Sequence, residues 1–221
     1  MADCVYVHGF GENREGKRAR TIVDALEEEG YRCEVPDMHQ PTFSTLTISA
    51  ALEALTSYLD ALRPGVEGIP GLLIGASMGG YLVARWAANH PRWRGRCLLL
   101  APGMGMAGRW PTLVGQERMK RWEEEGTLRL PGPREELESV HWEFMEDMRA
   151  QPPVEGLREG TVIIHGQRDH TVPVETSQRL VECSANARLV EVLDGHALLG
   201  SLDIVVKEAL DILGEKGRLG A

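Results

Sequence analysis

Ser77 stands in Gly75-Ala76-Ser77-Met78-Gly79. Leu72, Leu73 and Ile74 before it read as a buried strand, and Tyr81 to Ala88 after it as the start of a helix. A serine on so sharp a strand-to-helix turn presents its hydroxyl at the carboxyl edge of a sheet. The flanking glycines suit a turn whose backbone angles and close packing a Cβ would forbid. The first backbone N–H groups of the helix then face whatever the serine attacks. The chemistry this permits is attack on a carbonyl carbon. A serine hydroxyl is a poor nucleophile at neutral pH, so a neutral imidazole must take its proton. A carboxylate must fix the tautomer of that imidazole and stabilise the imidazolium.

Two further residues have the right type and place. Asp169 follows the strand Thr161 to Ile164, in His165-Gly166-Gln167-Arg168-Asp169-His170-Thr171-Val172-Pro173. His196 follows the last strand, in Asp194-Gly195-His196. Open α/β sheets hold their ligands just outside the carboxyl ends of the strands. The expected assignment is Ser77 nucleophile, His196 base and Asp169 acid, in an order known for such sites. The oxyanion formed on attack needs preorganised donors. The Met78 N–H, next after the nucleophile, is expected to be one. The Phe10 N–H, from the loop His8-Gly9-Phe10-Gly11, is expected to be the other.

Several residues carry rival readings. Ser77 could be a helix N-cap with no chemistry, and His196 a histidine of a surface loop. Asp194 competes for the acid role, but it is only two residues from His196. His8 is expected to prop the loop that carries Phe10. His165 and His170 bracket Asp169 without the spacing of a metal motif, so no metal is expected. Arg14, Lys17, Arg18 and Arg20 form a basic cluster, expected to be a solvated helix face.

The elements that must position these residues alternate short apolar runs with helical patterns, the sign of a parallel sheet with crossover helices. Strands are expected at Cys4–Val7, Arg32–Val35, Leu72–Ile74, Cys97–Leu100, Val162–Ile164 and Leu189–Leu193. Helices are expected at Lys17–Glu29, at Ile48–Leu62 with a stop at Pro64-Gly65, from the serine turn to about Asn89, and at Leu202–Leu213 before a frayed tail. Residues 103–153 break the alternation and read as a helical lid inserted over the site. Gln116–Glu125 is one helix there. Leu137, Val140, His141, Phe144, Met145 and Met148 form an apolar stripe at helical spacing. Trp110, Trp142 and Met145 are the residues expected to line a substrate pocket. Packing of the same apolar groups onto the core explains most of the stripe equally well.

At 221 residues the chain reads as one domain, with 26% charged and 43% apolar residues, as in ordinary globular proteins. A net charge of −9 argues against nucleic acid as a partner. No apolar run reaches the roughly 18–20 residues of a membrane span. A strand is expected within the first few residues, so no signal peptide is expected. Cys4, Cys33, Cys97 and Cys183 form no CxxC pair and read as free thiols. These features together imply a cytoplasmic location.

The elbow, the oxyanion-type loop and the Ser77, Asp169, His196 order resemble the α/β-hydrolase superfamily over nearly the whole chain, from Val5 to about Leu213. The likeness is greatest to compact bacterial esterases and thioesterases of the YqiA-like kind, which begin at the strand carrying Val7-His8-Gly9-Phe10. That resemblance implies a three-layer α/β fold with six mostly parallel strands and the first strand in the interior. It implies a cofactor-independent serine hydrolase of small carboxylic esters working through an acyl-enzyme. An acyl-thioesterase or acyl transferase on the same triad is the alternative, and a non-catalytic binding protein on this scaffold is a more distant one.

Overall fold

The computed structural model describes residues 2–62 and 70–219. The expected Pro64-Gly65 helix stop lies outside the described residues. One sheet runs through the molecule. Its strands are β1 (Cys4–Val7), β2 (Cys33–Glu34), β3 (Leu72–Ala76), β4 (Arg96–Leu100), β7 (Val162–Gly166) and β8 (Arg188–Val192). Their order is β2-β1-β3-β4-β7-β8, and every neighbouring pair is parallel. β1 is therefore interior.

Side chains alternate between the two faces of a strand. Val5, Val7, Leu73, Leu99 and Ile163 enter one apolar cluster; Tyr6, Leu72, Ile74, Leu98 and Ile164 enter the other. Helices cover both faces, so strand residues of both parities must be apolar. The first face is covered by α2 (Ile48–Leu62) and α3 (Met78–Asn89), through Ala51, Leu55, Leu82 and Trp86. α1 (Lys17–Glu28) and α8 (Leu202–Leu219) cover the second, through Ile22, Leu26, Val205 and Ala209. Each buried leucine, isoleucine or valine here contributes about 1.5–3 kcal/mol relative to exposure.

Some expectations are corrected in detail. β2 keeps only two residues of the expected four. α8 continues past Leu213 to Leu219. α7 (Val174–Glu182) fills a stretch where no element is expected. All four cysteines are free; Cys4, Cys33 and Cys97 are buried and Cys183 is exposed. Among the described residues no helix is long and apolar enough to cross a membrane.

The largest correction falls in residues 103–153, which are not purely helical. They form α4 (Met106–Val114), α5 (Gln116–Glu125), a hairpin of β5 (Thr127–Pro131) and β6 (Leu137–His141), and α6 (Glu143–Ala150). The expected helical stripe is therefore split: Leu137, Val140 and His141 lie in β6, while Phe144, Met145 and Met148 lie in α6. Gly132 N–H donates to the Glu136 carbonyl at 2.8 Å and Glu135 takes φ 62°, which closes the turn between the strands. Leu130 and Val140 are buried. The Val140 carbonyl accepts the Trp122 indole N–H at 2.8 Å, pinning the hairpin to α5. Trp110, Trp122, Trp142, Phe144 and Met145 belong to the same apolar cluster as the sheet residues.

Candidate active site

Three loops at the carboxyl edge of the sheet meet at Ser77. The first is the turn from β3 into α3. Ser77 takes φ 50°, ψ −116°, a region disfavoured for a residue with a Cβ by about 1–3 kcal/mol. Its surroundings hold it there. Its N–H donates to the Leu100 carbonyl at 2.9 Å, and its carbonyl accepts from Gly103 N–H at 2.8 Å and Tyr81 N–H at 3.2 Å. A Cβ on Gly79 would lie 2.0 Å from the Val7 carbonyl oxygen, and one on Gly75 would lie 2.5 Å from that of Gly79. Both glycines are thus steric requirements of the turn.

The second loop follows β7 and carries Asp169. Its side chain is fully buried. Oδ1 accepts the N–H groups of Thr171 at 2.8 Å and Val172 at 2.9 Å. Oδ2 accepts the Nδ1–H of His196 at 2.6 Å. Burial by itself would raise the pKa of this carboxyl. Hydrogen bonds from His165 and His196, the His196 charge and the Val172 N–H outweigh it and hold the group well below the usual carboxylate range.

The third loop follows β8 and carries His196. With Nδ1–H given to Asp169, Nε2 is the acceptor face, and it lies 2.9 Å from Ser77 Oγ. Asp194 takes no part in this chain. Its carboxylate accepts from the N–H groups of Gly195 (2.7 Å) and Gly200 (2.8 Å) and from the Ser201 hydroxyl (3.1 Å), which shapes the loop. The second and third loops are tied by the Arg168 N–H to the Asp194 carbonyl at 2.9 Å.

The loop after β1 completes the surroundings. His8 is buried, and its Nε2 accepts the Met38 N–H at 3.0 Å, joining this loop to the segment after β2. Gly9 N–H donates to Glu12 Oε2 at 2.9 Å. Gly11 has φ 68°, and a Cβ there would lie 2.6 Å from the Pro131 carbonyl oxygen. Asn13 Nδ2 donates to the Pro133 carbonyl at 2.8 Å. The β5–β6 hairpin thus buttresses the loop that carries Phe10.

A cavity of about 300 Å³ opens on Ser77. Phe10, Met78, Tyr81, Met104, Met106, Trp110, Phe144, Met148 and Val154 line it, with Arg149 and Gln151 among the few polar groups. Of the residues expected to line a pocket, Trp110 does so. Trp142 and Met145 do not: Trp142 packs against Trp122 at 5.5 Å and beneath the Arg149 guanidinium at 4.9 Å, and Met145 is wholly buried in the core. In α6, Phe144 and Met148 sit one turn apart and face the cavity instead. Their i, i+4 spacing was the signal.

His165 lies beneath the loop after β7, fully buried. Its Nε2 lies 2.9 Å from the Val172 carbonyl and 3.2 Å from Asp169 Oδ2, and its Nδ1 lies 2.7 Å from the Ser177 hydroxyl. It therefore props the loop that carries Asp169. His8, Asp37 and His39 bring potential ligand atoms within 4.8 Å of one another. His8 Nε2 is already an acceptor for Met38 N–H, and His39 is buried, its pKa lowered to about 4 by that burial and by His8 despite Asp37. These contacts describe a structural cluster.

The basic cluster expected to be solvated is corrected at Arg18. Arg14, Lys17 and Arg20 are exposed, whereas Arg18 is buried. Arg18, Ile22 and Leu26 share one helix stripe, so the arginine points where the apolar residues point.

A fully parallel sheet and a Ser–His–Asp array at its carboxyl edge define an α/β hydrolase by fold. Similar architecture occurs in a hydrolase candidate from Agrobacterium vitis S4 (TM-score 0.78, 22% identity, 95% of this chain and 87% of that one). It occurs also in alpha/beta hydrolase domain-containing protein 10 from mouse (0.76, 16%, 96% and 89%) and in Est1E from Butyrivibrio proteoclasticus (0.72, 19%, 96% and 86%). The chain belongs to the uncharacterised protein family UPF0227, whose model matches residues 3–203. No curated protein matches it.

Proposed function

We propose that the protein is a serine hydrolase of small carboxylic esters. The observation that carries this reading is the continuous chain from Asp169 Oδ2 through His196 to Ser77 Oγ, with both hydrogen bonds at or under 2.9 Å. Ser77 Oγ attacks the ester carbonyl while its proton passes to His196 Nε2. Asp169, ionised throughout, stabilises the imidazolium. The tetrahedral oxyanion is received by the N–H groups of Met78 and Phe10. Met78 opens α3, so its N–H has no acceptor within the helix, and both residues line the cavity beside Ser77. His196 then protonates the leaving alcohol, which departs and leaves an acyl-enzyme on Ser77. A water, deprotonated by His196, attacks that acyl group and releases the acid.

The cavity supports a small apolar acyl or aryl group as substrate. Its volume is at the lower end of ligand pockets, which run from roughly 300 to 1,000 Å³. Residues 103–153 supply much of its lining and serve as the lid of the site. Est1E, which shares the fold, has been solved with ferulic acid bound, so aryl esters belong in a substrate panel. The test is pre-steady-state hydrolysis of p-nitrophenyl esters from acetate to octanoate, with aryl esters and matched thioesters alongside. The expected result is a stoichiometric burst followed by turnover, greatest for short esters. Turnover of thioesters alone would move the reading to an acyl-thioesterase.

A further inference from the structure

Arg18 is a charged side chain buried where an apolar one would be expected. Its side chain is 5% exposed, and it reaches from α1 to the carboxyl edge of the sheet. Nη1 donates to the main-chain carbonyls of His196 and Ala197, each at 3.3 Å. Nη2 pairs with Glu12 Oε1. The other oxygen of the same carboxylate accepts the Gly9 N–H at 2.9 Å. One Arg–Glu pair therefore touches the backbone of two loops. On one side is the histidine itself; on the other is the residue before Phe10. A buried guanidinium without its partners would be strongly unfavourable, so the loops and the pair hold one another in place.

Gly9 is also the point of contact with the nucleophile: a Cβ there would lie 3.1 Å from the Ser77 Cβ and 3.3 Å from the Ala76 carbonyl oxygen. A shift of this loop changes the space in front of Ser77, and a shift of the His196 backbone changes the 2.9 Å contact to Ser77 Oγ. We propose that Arg18 and Glu12 are a positioning pair that sets the Phe10 loop and the His196 loop in register about Ser77. The proposal rests on the serine-hydrolase reading for its kinetic consequences. Neither side chain touches the reacting atoms. Arg18 acts through the backbone of His196, and Glu12 through that of Gly9.

The test compares wild type with Arg18→Met, Arg18→Lys and Glu12→Gln. Four quantities are read at a temperature where thermal melts show each protein folded. They are kcat and KM for p-nitrophenyl butyrate, the rate of fluorophosphonate labelling, and the low-field ¹H NMR signal of the His196 Nδ1–H. Misplacement of reacting groups by an ångström can cost about a hundredfold. Arg18→Met is expected to lower kcat by roughly ten- to a hundredfold at little-changed KM, to slow labelling in proportion, and to shift or broaden the low-field proton. Arg18→Lys, whose ammonium can reach only part of this acceptor set, is expected to recover part of the rate. Glu12→Gln is expected to give a smaller loss of kcat of the same kind, and it decides the matter if Arg18→Met does not fold. A lowered melting temperature with unchanged kcat and an unchanged low-field proton would overturn the proposal. A wild-type protein that neither turns over nor labels would refute the hydrolase reading, and the NMR signal would still decide the positioning pair.

Discussion

The loops around Ser77 and the segment that completes the cavity are held by different means. The loops carrying Ser77, Asp169 and His196 are fixed by backbone hydrogen bonds, several to neighbouring strands, and by glycines at which a Cβ would collide with carbonyl oxygens. Residues 103–153 are packed at the cavity through aromatic rings, with hydrogen bonds to the rest of the chain elsewhere, such as His141 N–H to the Ser44 carbonyl at 3.0 Å and Ser49 N–H to Asp147 at 2.8 Å. Trp110 meets Phe10, Trp122 and Phe144 edge-on at 5.3, 5.8 and 5.6 Å. Hydrogen bonds specify angle and distance, as proton transfer requires, whereas apolar packing specifies volume and tolerates substitution of similar size. Rate and substrate preference should therefore separate by region.

The largest expected effect is on the loops. Ser77→Ala should lower kcat by about 10⁶-fold with the fold intact, measured by ester hydrolysis and circular dichroism. Asp169→Asn should follow at about 10⁴-fold, through loss of the correct tautomer of His196. Asp194→Asn is the contrast: Asp194 shapes the loop without touching the imidazole, so its substitution should cost far less. A crippled Asp194→Asn beside a nearly silent Asp169→Asn would reverse the two roles.

Within residues 103–153 the expected effects are smaller and of another kind. Met148→Ala enlarges the cavity and should raise kcat/KM for longer acyl esters over short ones by roughly tenfold. Trp142→Ala should leave that preference unchanged and destabilise the fold by about 3–5 kcal/mol, read from denaturant unfolding. If Trp142→Ala instead changed preference without loss of stability, the two regions would not be separable in this way.

The mildest test uses pH. The Asp169 carboxyl is held below its usual value of 3.8 in the folded chain. Its contribution to stability is therefore fully present above the unfolded-state pKa and is lost as pH falls toward the folded one. The stability difference between wild type and Asp169→Asn should persist down to about pH 4 and shrink below it. A difference that grew with acid would contradict the depressed pKa.

Much of the fold was legible because apolar runs of four or five residues bounded by glycine or proline have few alternatives in an α/β chain. The elbow was legible because its glycines are steric requirements. The β5–β6 hairpin was not, since Val140 and Phe144 fit a helical period as well as two separate elements. The Pro131-Gly132-Pro133 break before β6 was the missed signal. α7 was missed although Pro173 precedes it directly, as a helix-start residue often does. Arg18 is hard to place from sequence because a cluster of basic residues suggests solvent, while its register with Ile22 and Leu26 points inward. Cavity lining was only partly legible: Trp110 and Trp142 are alike in type, and only the tertiary packing distinguishes them.

The most direct test of the proposed chemistry is intact-protein mass after exposure to a fluorophosphonate, for wild type and Ser77→Ala in parallel. One adduct on wild type and none on the variant is the expected result, since only an activated Ser77 attacks phosphorus at a useful rate. A folded wild-type protein that gains no mass, or a variant that labels equally well, would contradict Ser77 as the nucleophile.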